Sequence, residues 1–524
     1  MPTEQTVHTT RSVSSRSNAD QSMSLSAARK NASLSESFLP LMKQMGINLK
    51  FSAVSDEGVC KVDATQNATN AYKVRGALAS AEVAVKEGKT TLVTASAGNH
   101  GAGIALAAEK LGLKAIVYVP KNAPGPKVEK IRKFGAEVRF AGDSFDECLR
   151  IAQAECKELS SSAKFVHPFD DPTVVAGQGT IGFELLDKLT QELAHREYNR
   201  VRVVLPIGGG GLAAGVLSVL KTRWRSEFPP LEVVGVVDES SPASLLAMLR
   251  GRPVRALAQS IADGTNVELV GKSFLAVAHL LDGLMLLPHD DLVNAMREHE
   301  RETGCKLEGA GALALGGEGV LRAGNLLGDP KKTLSFVLLT GKNIDGKRFD
   351  QEVSAQPRMN KNLMRQGFDV LIPEKPGQLL KFLETVRDFN IVSLTYMKKV
   401  PSSEGHLRVE FEVARNDRGK LEKAITSAFP GSQALPKGDH MVYVGGIQGT
   451  EAGTETLIQL EDRPGSFFNC VQELTNAGKL GSVDFLFYRK PATKGAKAQV
   501  VMGVASPAVD EDIPFDSVPL PALQ

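Results

Sequence analysis

Residues Val201 to Leu212 read Val-Arg-Val-Val-Leu-Pro-Ile-Gly-Gly-Gly-Gly-Leu. The β-branched run predicts a buried strand, and the four glycines leave the turn after it without side chains. The apolar stretch 213–220 then has helical length. A bare turn before a helix exposes main-chain N–H groups beside the positive end of the helix dipole. The stretch therefore predicts a phosphate site, and a tight crossover without a ligand is the alternative interpretation.

The same alternation of strand and helix continues on both sides of this stretch. Strands are predicted at 91–95, 115–119, 137–140, 164–166, 201–205, 232–237 and 334–339, with helices at 100–111, 127–134 and 144–159. Apolar strands separated by helices are typical of parallel sheets that helices cover on both faces. The predicted fold class is α/β, with functional residues at the carboxyl ends of the strands.

Length, charge and cysteine content exclude several classes of protein. The chain has 524 residues, which predicts more than one domain. Its net charge of +2 argues against a nucleic-acid partner, and no apolar run has the roughly 20 residues of a membrane span. The cysteines are scattered and have no CxxC spacing; they are Cys60, Cys148, Cys156, Cys305 and Cys470. They predict reduced thiols in an intracellular compartment and no metal site.

The two ends of the chain are predicted to lie outside the folded domains. Residues 1–37 are rich in serine and threonine and poor in acids. This composition fits a mitochondrial or plastid transit peptide, and it fits a disordered tail equally well. The predicted location is therefore the cytoplasm, or one of those organelles if a transit peptide is present. The acidic, proline-containing segment 509–524 is predicted to be unfolded.

An internal repeat begins beyond a break near residues 355–360. Phe368–Gly377 and Thr456–Gly465 each read as a strand with a Pro-Gly turn, and each precedes a predicted helix, near 379–383 and near 467–471. Two β-rich stretches follow each helix, at 392–397 and 406–413 and again at 482–488 and 499–504. This order predicts two ferredoxin-like α+β modules, at 363–447 and 455–507. They resemble ACT-type modules, which commonly bind amino acids and regulate the attached enzyme; a dimerisation module without a ligand is the alternative.

Three more motifs carry functional groups. Lys73 lies in an apolar, helix-prone stretch, where burial would leave the free amine that a Schiff base requires. Taken alone, this motif is explained as easily by a surface lysine beside Arg75. The Ser-Ala-Gly-Asn loop 96–99 joins a strand to a helix, and its small residues let main-chain amides approach an anion such as a carboxylate. Thr340 ends a buried strand and offers a hydroxyl there.

In this order, the lysine, the loop, the glycine turn and the terminal threonine resemble the pyridoxal-phosphate enzymes of fold type II. Within these, the chain resembles the threonine ammonia-lyases. Supporting segments are Phe165–Pro172, Ala176–Thr180, Ile261–Gly264 and Glu308–Ala312. The resemblance covers about residues 70–350, and the two modules match the regulatory end of the same family. It implies a catalytic domain at 38–357 with two parallel-sheet subdomains, the smaller at about 75–175.

The resemblance also implies a role for each motif residue. Lys73 would hold pyridoxal 5'-phosphate as a Schiff base and later remove the substrate Cα proton. Tyr72 would pack against the pyridine ring, Asn99 would hydrogen-bond the ring hydroxyl, and Thr340 would face the ring nitrogen. The phosphate would be held by Gly208, Gly209, Gly210, Gly211 and the amide of Leu212. The substrate carboxylate would be bound by Ser96, Ala97, Gly98 and Asn99.

The implied reaction is elimination of water from L-threonine, followed by hydrolysis to 2-oxobutanoate and ammonia, the first step of isoleucine synthesis. Isoleucine would inhibit through the modules, valine would oppose it, and the chain would form a homo-oligomer, a tetramer or a dimer. The sequence departs from the family before the lysine. Where the family usually has Ser-Phe-Lys, this chain has Ala71-Tyr72-Lys73. The Lys-x-Glu strand that is usual in the family has only a loose match here, at residues 60–63. A serine dehydratase or racemase that acts on L-serine, and a non-catalytic regulatory paralogue, remain as alternatives.

Overall fold

The computed structural model describes residues 18–323, 329–354, 363–373, 378–398, 404–435, 442–444, 454–460, 467, 471–472, 483–489 and 498–504. The α-helices are α1 (Asn18–Ser37), α2 (Leu39–Gln44), α3 (Val74–Lys86), α4 (Asn99–Leu111), α5 (Gly125–Lys133), α6 (Phe145–Glu158), α7 (Pro172–His195), α8 (Gly211–Arg223), α9 (Ala243–Arg250), α10 (Lys272–Leu275), α11 (His289–Thr303), α12 (Gly309–Ala323), α13 (Gly346–Ser354), α14 (Gln378–Thr385) and α15 (Arg418–Ala428).

The strands are β1 (Lys50–Phe51), β2 (Val59–Asp63), β3 (Thr91–Ala95), β4 (Lys114–Val119), β5 (Glu137–Phe140), β6 (Ala163–Phe165), β7 (Arg200–Pro206), β8 (Leu231–Asp238), β9 (Gly283–Leu287), β10 (Thr333–Leu339), β11 (Leu363–Pro373), β12 (Asn390–Lys398), β13 (Glu404–Ala414), β14 (Gln433–Ala434), β15 (Val442–Val444), β16 (Thr454–Leu460), β17 (Val483–Arg489) and β18 (Ala498–Val504).

Two sheets with parallel strands are built from the part of the chain before residue 355, except for one edge strand, β15. The smaller sheet has the order β5-β4-β3-β6, and all its pairs are parallel. The larger sheet has the order β1-β2-β10-β7-β8-β9-β15, in which the five strands from β2 to β9 are parallel. Its two edge strands are antiparallel to their neighbours. The prediction of an α/β fold is confirmed.

The central strand β7 shows why these sequences form parallel strands. Val203 and Leu205 belong to the core cluster that contains Leu217 of α8, whereas Val204 belongs to the cluster that contains Leu313 of α12. Both faces of the strand are therefore covered by helices. An apolar, β-branched run without alternation satisfies this environment.

Helix α1 corrects one prediction. It packs against α7 and α8, with Ala28 and Ala32 buried and Asn31 Nδ2 donating to Ser218 Oγ over 3.2 Å. The predicted disordered tail is therefore wrong for residues 18–37. Tertiary contacts through small side chains, rather than an apolar face of its own, stabilise this helix. Residues 1–17, like the predicted unfolded tail 509–524, lie outside the described ranges.

The C-terminal sheet is antiparallel and has the order β14-β11-β13-β12-β17-β18-β16. Its first half follows the chain as β11, α14, β12, β13, α15, β14, which is a ferredoxin-like order. The second half contributes β16, β17 and β18, and its predicted helix near 467–471 lies mostly outside the described residues. Because β12 pairs with β17, both halves form one continuous sheet.

One short strand from the C-terminal half belongs to the larger sheet. Residues Val442 to Val444 form β15, which pairs antiparallel with β9 from Met285 to Gly283. The predicted range 363–447 for the first module is therefore too long. Such a three-residue pairing carries no sequence signal, because its partner strand is far away along the chain.

Four charged side chains join the C-terminal sheet to the larger sheet; we call them the buried charge cluster. They are Glu239 just after β8, Arg365 of β11, Glu410 of β13 and Arg489 of β17. Arg365 Nη1 lies 3.0 Å from Glu239 Oε2, Arg489 Nη1 lies 2.9 Å from Glu410 Oε2, and Arg489 also pairs with Glu239. Burial raises the pKa of Glu239, but the charges of Arg489 and Arg365 outweigh it, and the pKa is lowered. Buried charges are tolerated when each is paired in this way.

The described part of the chain shows neither a long apolar helix nor a disulfide. No helix in these ranges has both the length and the apolarity that a bilayer crossing requires. The described cysteines, Cys60, Cys148, Cys156 and Cys305, are free.

Candidate active site

A cavity of about 560 Å³ lies where strands of both sheets end. Its lining follows the carboxyl ends of β3, β7 and β10. It contains all the residues that the sequence motifs single out: Tyr72, Lys73, Ser96, Ala97, Gly98, Asn99, Gly208, Gly209, Gly210, Gly211, Leu212 and Thr340. This volume is typical of a small-molecule or cofactor site.

Lys73 immediately precedes α3 and points into this cavity. Its Nζ donates to the carbonyl of Pro168 over 3.0 Å and lies 5.4 Å from the ring centre of Tyr72. Burial lowers the pKa of Lys73 to about 8, while the carboxylate of Glu308 acts in the opposite direction. Arg75 is itself buried and pairs with Glu184. The alternative of a lysine on a solvated face is therefore wrong.

The divergent segment before Lys73 is held by hydrogen bonds. Asn70 has a φ of +55°, in the left-handed region that asparagine tolerates better than most residues. Asn67 Nδ2 donates to the carbonyl of Ala71 over 3.0 Å. The N–H of Tyr72 donates to the carbonyl of Thr340 over 3.1 Å. These bonds fix the approach to the lysine against the end of β10.

The loose sequence match at 60–63 is a strand in the structure. It forms β2, which pairs in parallel with β10 from Ser335 to Leu339. The segment with only a loose Lys-x-Glu match is therefore a strand of the larger sheet.

The glycine turn has no room for side chains. Gly210 has a φ of +91°, and a Cβ on Gly209 would overlap the ring of Phe169. A Cβ on Gly208 would lie 2.5 Å from Thr265 Cα, and one on Gly211 would lie 2.6 Å from the Phe169 carbonyl. A simple crossover needs fewer glycines than this. Because no side chain caps α8, its first N–H groups are available to an anion in the cavity.

The loop 96–99 provides a second helix N-terminus. Helix α4 begins at Asn99 and has no side-chain cap, so an anion can bind to its first N–H groups. Ser96 Oγ accepts from the N–H of Gly98 over 3.2 Å, which holds the turn in shape. The next residue, His100, is buried, and burial with the nearby Lys73 charge lowers its pKa to about 3. A neutral, enclosed imidazole fits a structural role.

Two polar groups in the cavity are bonded to protein partners. Thr340 Oγ1 donates its hydrogen to the carbonyl of Ala310 over 3.0 Å. Toward a ligand, the hydroxyl oxygen can therefore act only as a hydrogen-bond acceptor. Asn99 Nδ2 donates to Glu308 Oε1 over 2.7 Å, and Asn99 Oδ1 accepts from Asn343 Nδ2 over 2.7 Å. Burial raises the pKa of Glu308.

Sequence reasoning gave no role to several residues of this site. Glu308 begins the segment Glu308–Ala312, beside a glycine at a helix start, and Asn343 follows Thr340 and Gly341 at the end of a strand; those positions are the signal that was available. Lys130, which lines the same cavity, lies in a helix with many charges, where nothing distinguishes it.

An ion-pair group at the cavity mouth was also not predicted. Asp263 binds Lys127 Nζ over 2.5 Å and Arg348 Nη1 over 2.7 Å. Burial raises the pKa of Asp263, but its bonds to Arg348 and Lys127 outweigh burial and lower the pKa. Lys127 lies on α5 beside the smaller sheet and Arg348 on α13, so the group connects the two halves of the site.

Comparison with known protein families agrees with this geometry. The family model described as "Pyridoxal-phosphate dependent enzyme" matches residues 50–338. The chain belongs to this family. Two parallel sheets with a cavity at their strand ends agree with a fold type II pyridoxal-phosphate enzyme, and the predicted class of the catalytic region is confirmed.

Individual relatives are similar over different shares of the chain. The L-threonine ammonia-lyase of Thermotoga maritima is 33% identical over 367 residues, which are 68% of this chain and 84% of that protein. The L-threonine dehydratase biosynthetic IlvA of Burkholderia multivorans is 31% identical over 458 residues, 84% of either chain. The structure of the processed form of threonine deaminase isoform 2 from Solanum lycopersicum aligns with a TM-score of 0.55 and 26% identity, covering 62% of this chain and 87% of that one.

The residues of the cavity fit the cofactor of the pyridoxal-phosphate family. A side-chain-free turn before α8 suits a phosphate, and Lys73 supplies an amine whose pKa, about 8, makes it available for a Schiff base. Asn99 and Thr340 supply the polar groups that a substituted pyridine ring requires.

Proposed function

We propose that the chain is a threonine ammonia-lyase, which converts L-threonine to 2-oxobutanoate and ammonia. The observation that carries this proposal is the meeting of Lys73 with two uncapped helix N-termini, those of α4 and α8, in one cavity. Two anion sites beside one amine match a substrate carboxylate and a cofactor phosphate. The names of the relatives supply the substrate.

Each group of residues has a task in this proposal. When bound, pyridoxal phosphate supplies an electron-withdrawing ring that makes the substrate Cα proton acidic. Gly208–Gly211 and the start of α8 bind the phosphate, while the loop 96–99 binds the substrate carboxylate. Lys73 accepts the Cα proton, a task that suits an amine whose pKa is about 8. Asp263, Lys127 and Arg348 limit the entry of water at the mouth.

The experiment is a product assay with the purified chain. With pyridoxal phosphate present, L-threonine should yield 2-oxobutanoate, and L-serine should yield pyruvate at a lower kcat/KM. Equal or preferred turnover of L-serine would replace the proposal with the serine alternative. Absence of any keto acid, with the cofactor visibly bound, would favour the non-catalytic paralogue. The hydrogen bonds that hold residues 67–72 support catalysis instead.

We further propose that the C-terminal sheet consists of two ACT-like modules, that isoleucine binds them and inhibits, and that valine opposes it. The ferredoxin-like strand order of residues 363–435 supports this assignment. A physical connection to the cofactor site supports it too. Glu239 of the buried charge cluster lies five residues before Ser244, whose Oγ donates to the Gly208 carbonyl over 2.6 Å. Inhibition curves test the proposal: isoleucine should lower the rate of threonine turnover, and valine added with it should restore that rate.

The chain is also expected to form a homo-oligomer.

A further inference from the structure

A row of hydrogen bonds connects four side chains along one wall of the cavity, and each side chain donates to the next. Lys130 Nζ donates to Asn343 Oδ1, Asn343 Nδ2 donates to Asn99 Oδ1 over 2.7 Å, and Asn99 Nδ2 donates to Glu308 Oε1 over 2.7 Å. The four residues come from four segments: α5, the loop after β10, the start of α4, and the position before α12.

The two ends of this row determine its direction. An ammonium group can only donate and a carboxylate can only accept, whereas a carboxamide does both and can turn over. Lys130 therefore selects the oxygen of Asn343, and Glu308 selects the nitrogen of Asn99. The carbonyl of Thr69 reinforces the choice, since it accepts from both Lys130 Nζ and Asn343 Nδ2 over 2.7 Å.

The position of Glu308 is itself closely defined. Its Oε2 accepts from the main-chain N–H of Asn343 over 3.3 Å. A Cβ on Gly341 would overlap its carboxylate, so the absence of a side chain at that position leaves space for it. The carboxylate thus lies where it can accept from Asn99.

We propose that Glu308, Asn343 and Lys130 are positioning residues that keep an N–H of Asn99, rather than its oxygen, toward the ring hydroxyl of the cofactor. The proposal rests on the assigned pyridoxal-phosphate site. Asn99 Nδ2 has two hydrogens, and Glu308 engages one of them, which leaves the other for a ligand. In the reverse orientation Asn99 would present an acceptor to an electron-rich oxygen. Because Lys130 comes from the half of the site beside the smaller sheet, the row requires both halves to be in contact.

The test is Glu308→Gln in the full chain, with cofactor binding measured in the absence of substrate. Glutamine keeps the shape but both donates and accepts, so Asn99 can adopt either orientation. The variant is titrated with pyridoxal phosphate and with the analogue that lacks the ring hydroxyl. We expect the affinity for pyridoxal phosphate to fall about tenfold relative to that for the analogue, together with a shift of the visible absorption band.

The Asn99→Ala background provides the matched control. If Glu308 acts through Asn99, adding Glu308→Gln to Asn99→Ala changes neither affinity further. The proposal is overturned if Glu308→Gln lowers the affinity for pyridoxal phosphate and for the analogue equally. It is also overturned if Glu308→Gln lowers the affinity in the Asn99→Ala background as much as it does in the natural chain. Should Glu308→Gln fail to fold, Lys130→Met in α5 decides by the same comparison. Because no substrate is present, failure to turn over threonine would refute the proposed function and leave this result intact.

Discussion

The side chain of Lys73 reaches across to the main-chain carbonyl of Pro168, 3.0 Å from its Nζ. Lys73 lies at the start of α3, and Pro168 lies in the loop between β6 and α7. The loop that contains Pro168 also contributes Phe169, which packs on the glycine turn. One loop therefore contacts both the amine and the phosphate-binding turn, and it keeps them at a fixed separation.

Replacing this lysine should remove covalent cofactor binding. We expect Lys73→Ala to bind no pyridoxal phosphate that borohydride can fix to the chain, and to lose turnover by about a thousandfold or more. Lys86→Ala is the matched control, because Lys86 is an exposed residue of the same helix, 67% accessible at its side chain. Mass spectrometry after reduction measures both; a fixed cofactor in Lys73→Ala would contradict the assignment.

The pH dependence of cofactor uptake follows from the same residue. The pKa of Lys73 is about 8, below its ordinary 10.5, so the ammonium form predominates below pH 8 and cannot attack the cofactor aldehyde. The initial rate of uptake by the cofactor-free chain should rise through a midpoint near pH 8 and then level. Stopped-flow absorbance measures it. A rate that still rises steeply above about pH 10 would indicate an ordinary lysine.

The glycine turn should not tolerate even a methyl group. Gly209→Ala places a Cβ against the ring of Phe169, which we expect to cost about 1–3 kcal/mol and to weaken cofactor binding. Gly319→Ala in α12 meets nothing within 4 Å and should stabilise the chain by about 0.5–1 kcal/mol. Urea unfolding of both variants gives the comparison. Equal stability of the two would contradict the close packing of Phe169 on the turn.

The buried charge cluster should matter for both stability and regulation. Glu239→Gln leaves Arg489 and Arg365 without one of their acidic partners, and we expect a loss of about 3 kcal/mol in the free energy of unfolding. Inhibition by isoleucine should weaken, because the contact between the C-terminal sheet and the strand leading to Ser244 is altered.

The control for Glu239→Gln is an ion pair inside the C-terminal sheet. Asp369 and Arg408 pair over 2.8 Å on neighbouring strands, and Asp369 is 42% exposed at its side chain. Asp369→Asn should cost less than about 1 kcal/mol and leave isoleucine inhibition unchanged. If both variants lose inhibition equally, the cluster has no special part in transmitting it.

The sequence was most informative where burial alone determines structure. Strands such as β3, β4 and β10 were predicted within a residue or two, because a run of apolar residues between helices has few other uses. The gathering of Lys73, the loop 96–99 and the glycine turn in one cavity was implied by the resemblance to the pyridoxal-phosphate enzymes, in which these motifs occur in the same order. Position at strand ends accounts for the loop 96–99 and the glycine turn, whereas Lys73 precedes a helix.

The remaining features depend on partners that are distant in the chain. Helix α1 is stabilised by α7 and α8, which its composition does not indicate. Glu308 and Lys130 have functions only because Asn99 and Asn343 lie between them in space. The buried charge cluster likewise unites residues 239, 365, 410 and 489, and no local pattern links them.

Strand β15 has a consequence for the order in which the protein is made. An unpaired edge strand such as β9 presents free N–H and C=O groups to other chains. Its partner, Val442–Val444, leaves the ribosome only after β11 to β14 have been synthesised. During translation the edge of the larger sheet at β9 therefore stays without its partner until residues 442–444 have been synthesised, after all of β11 to β14.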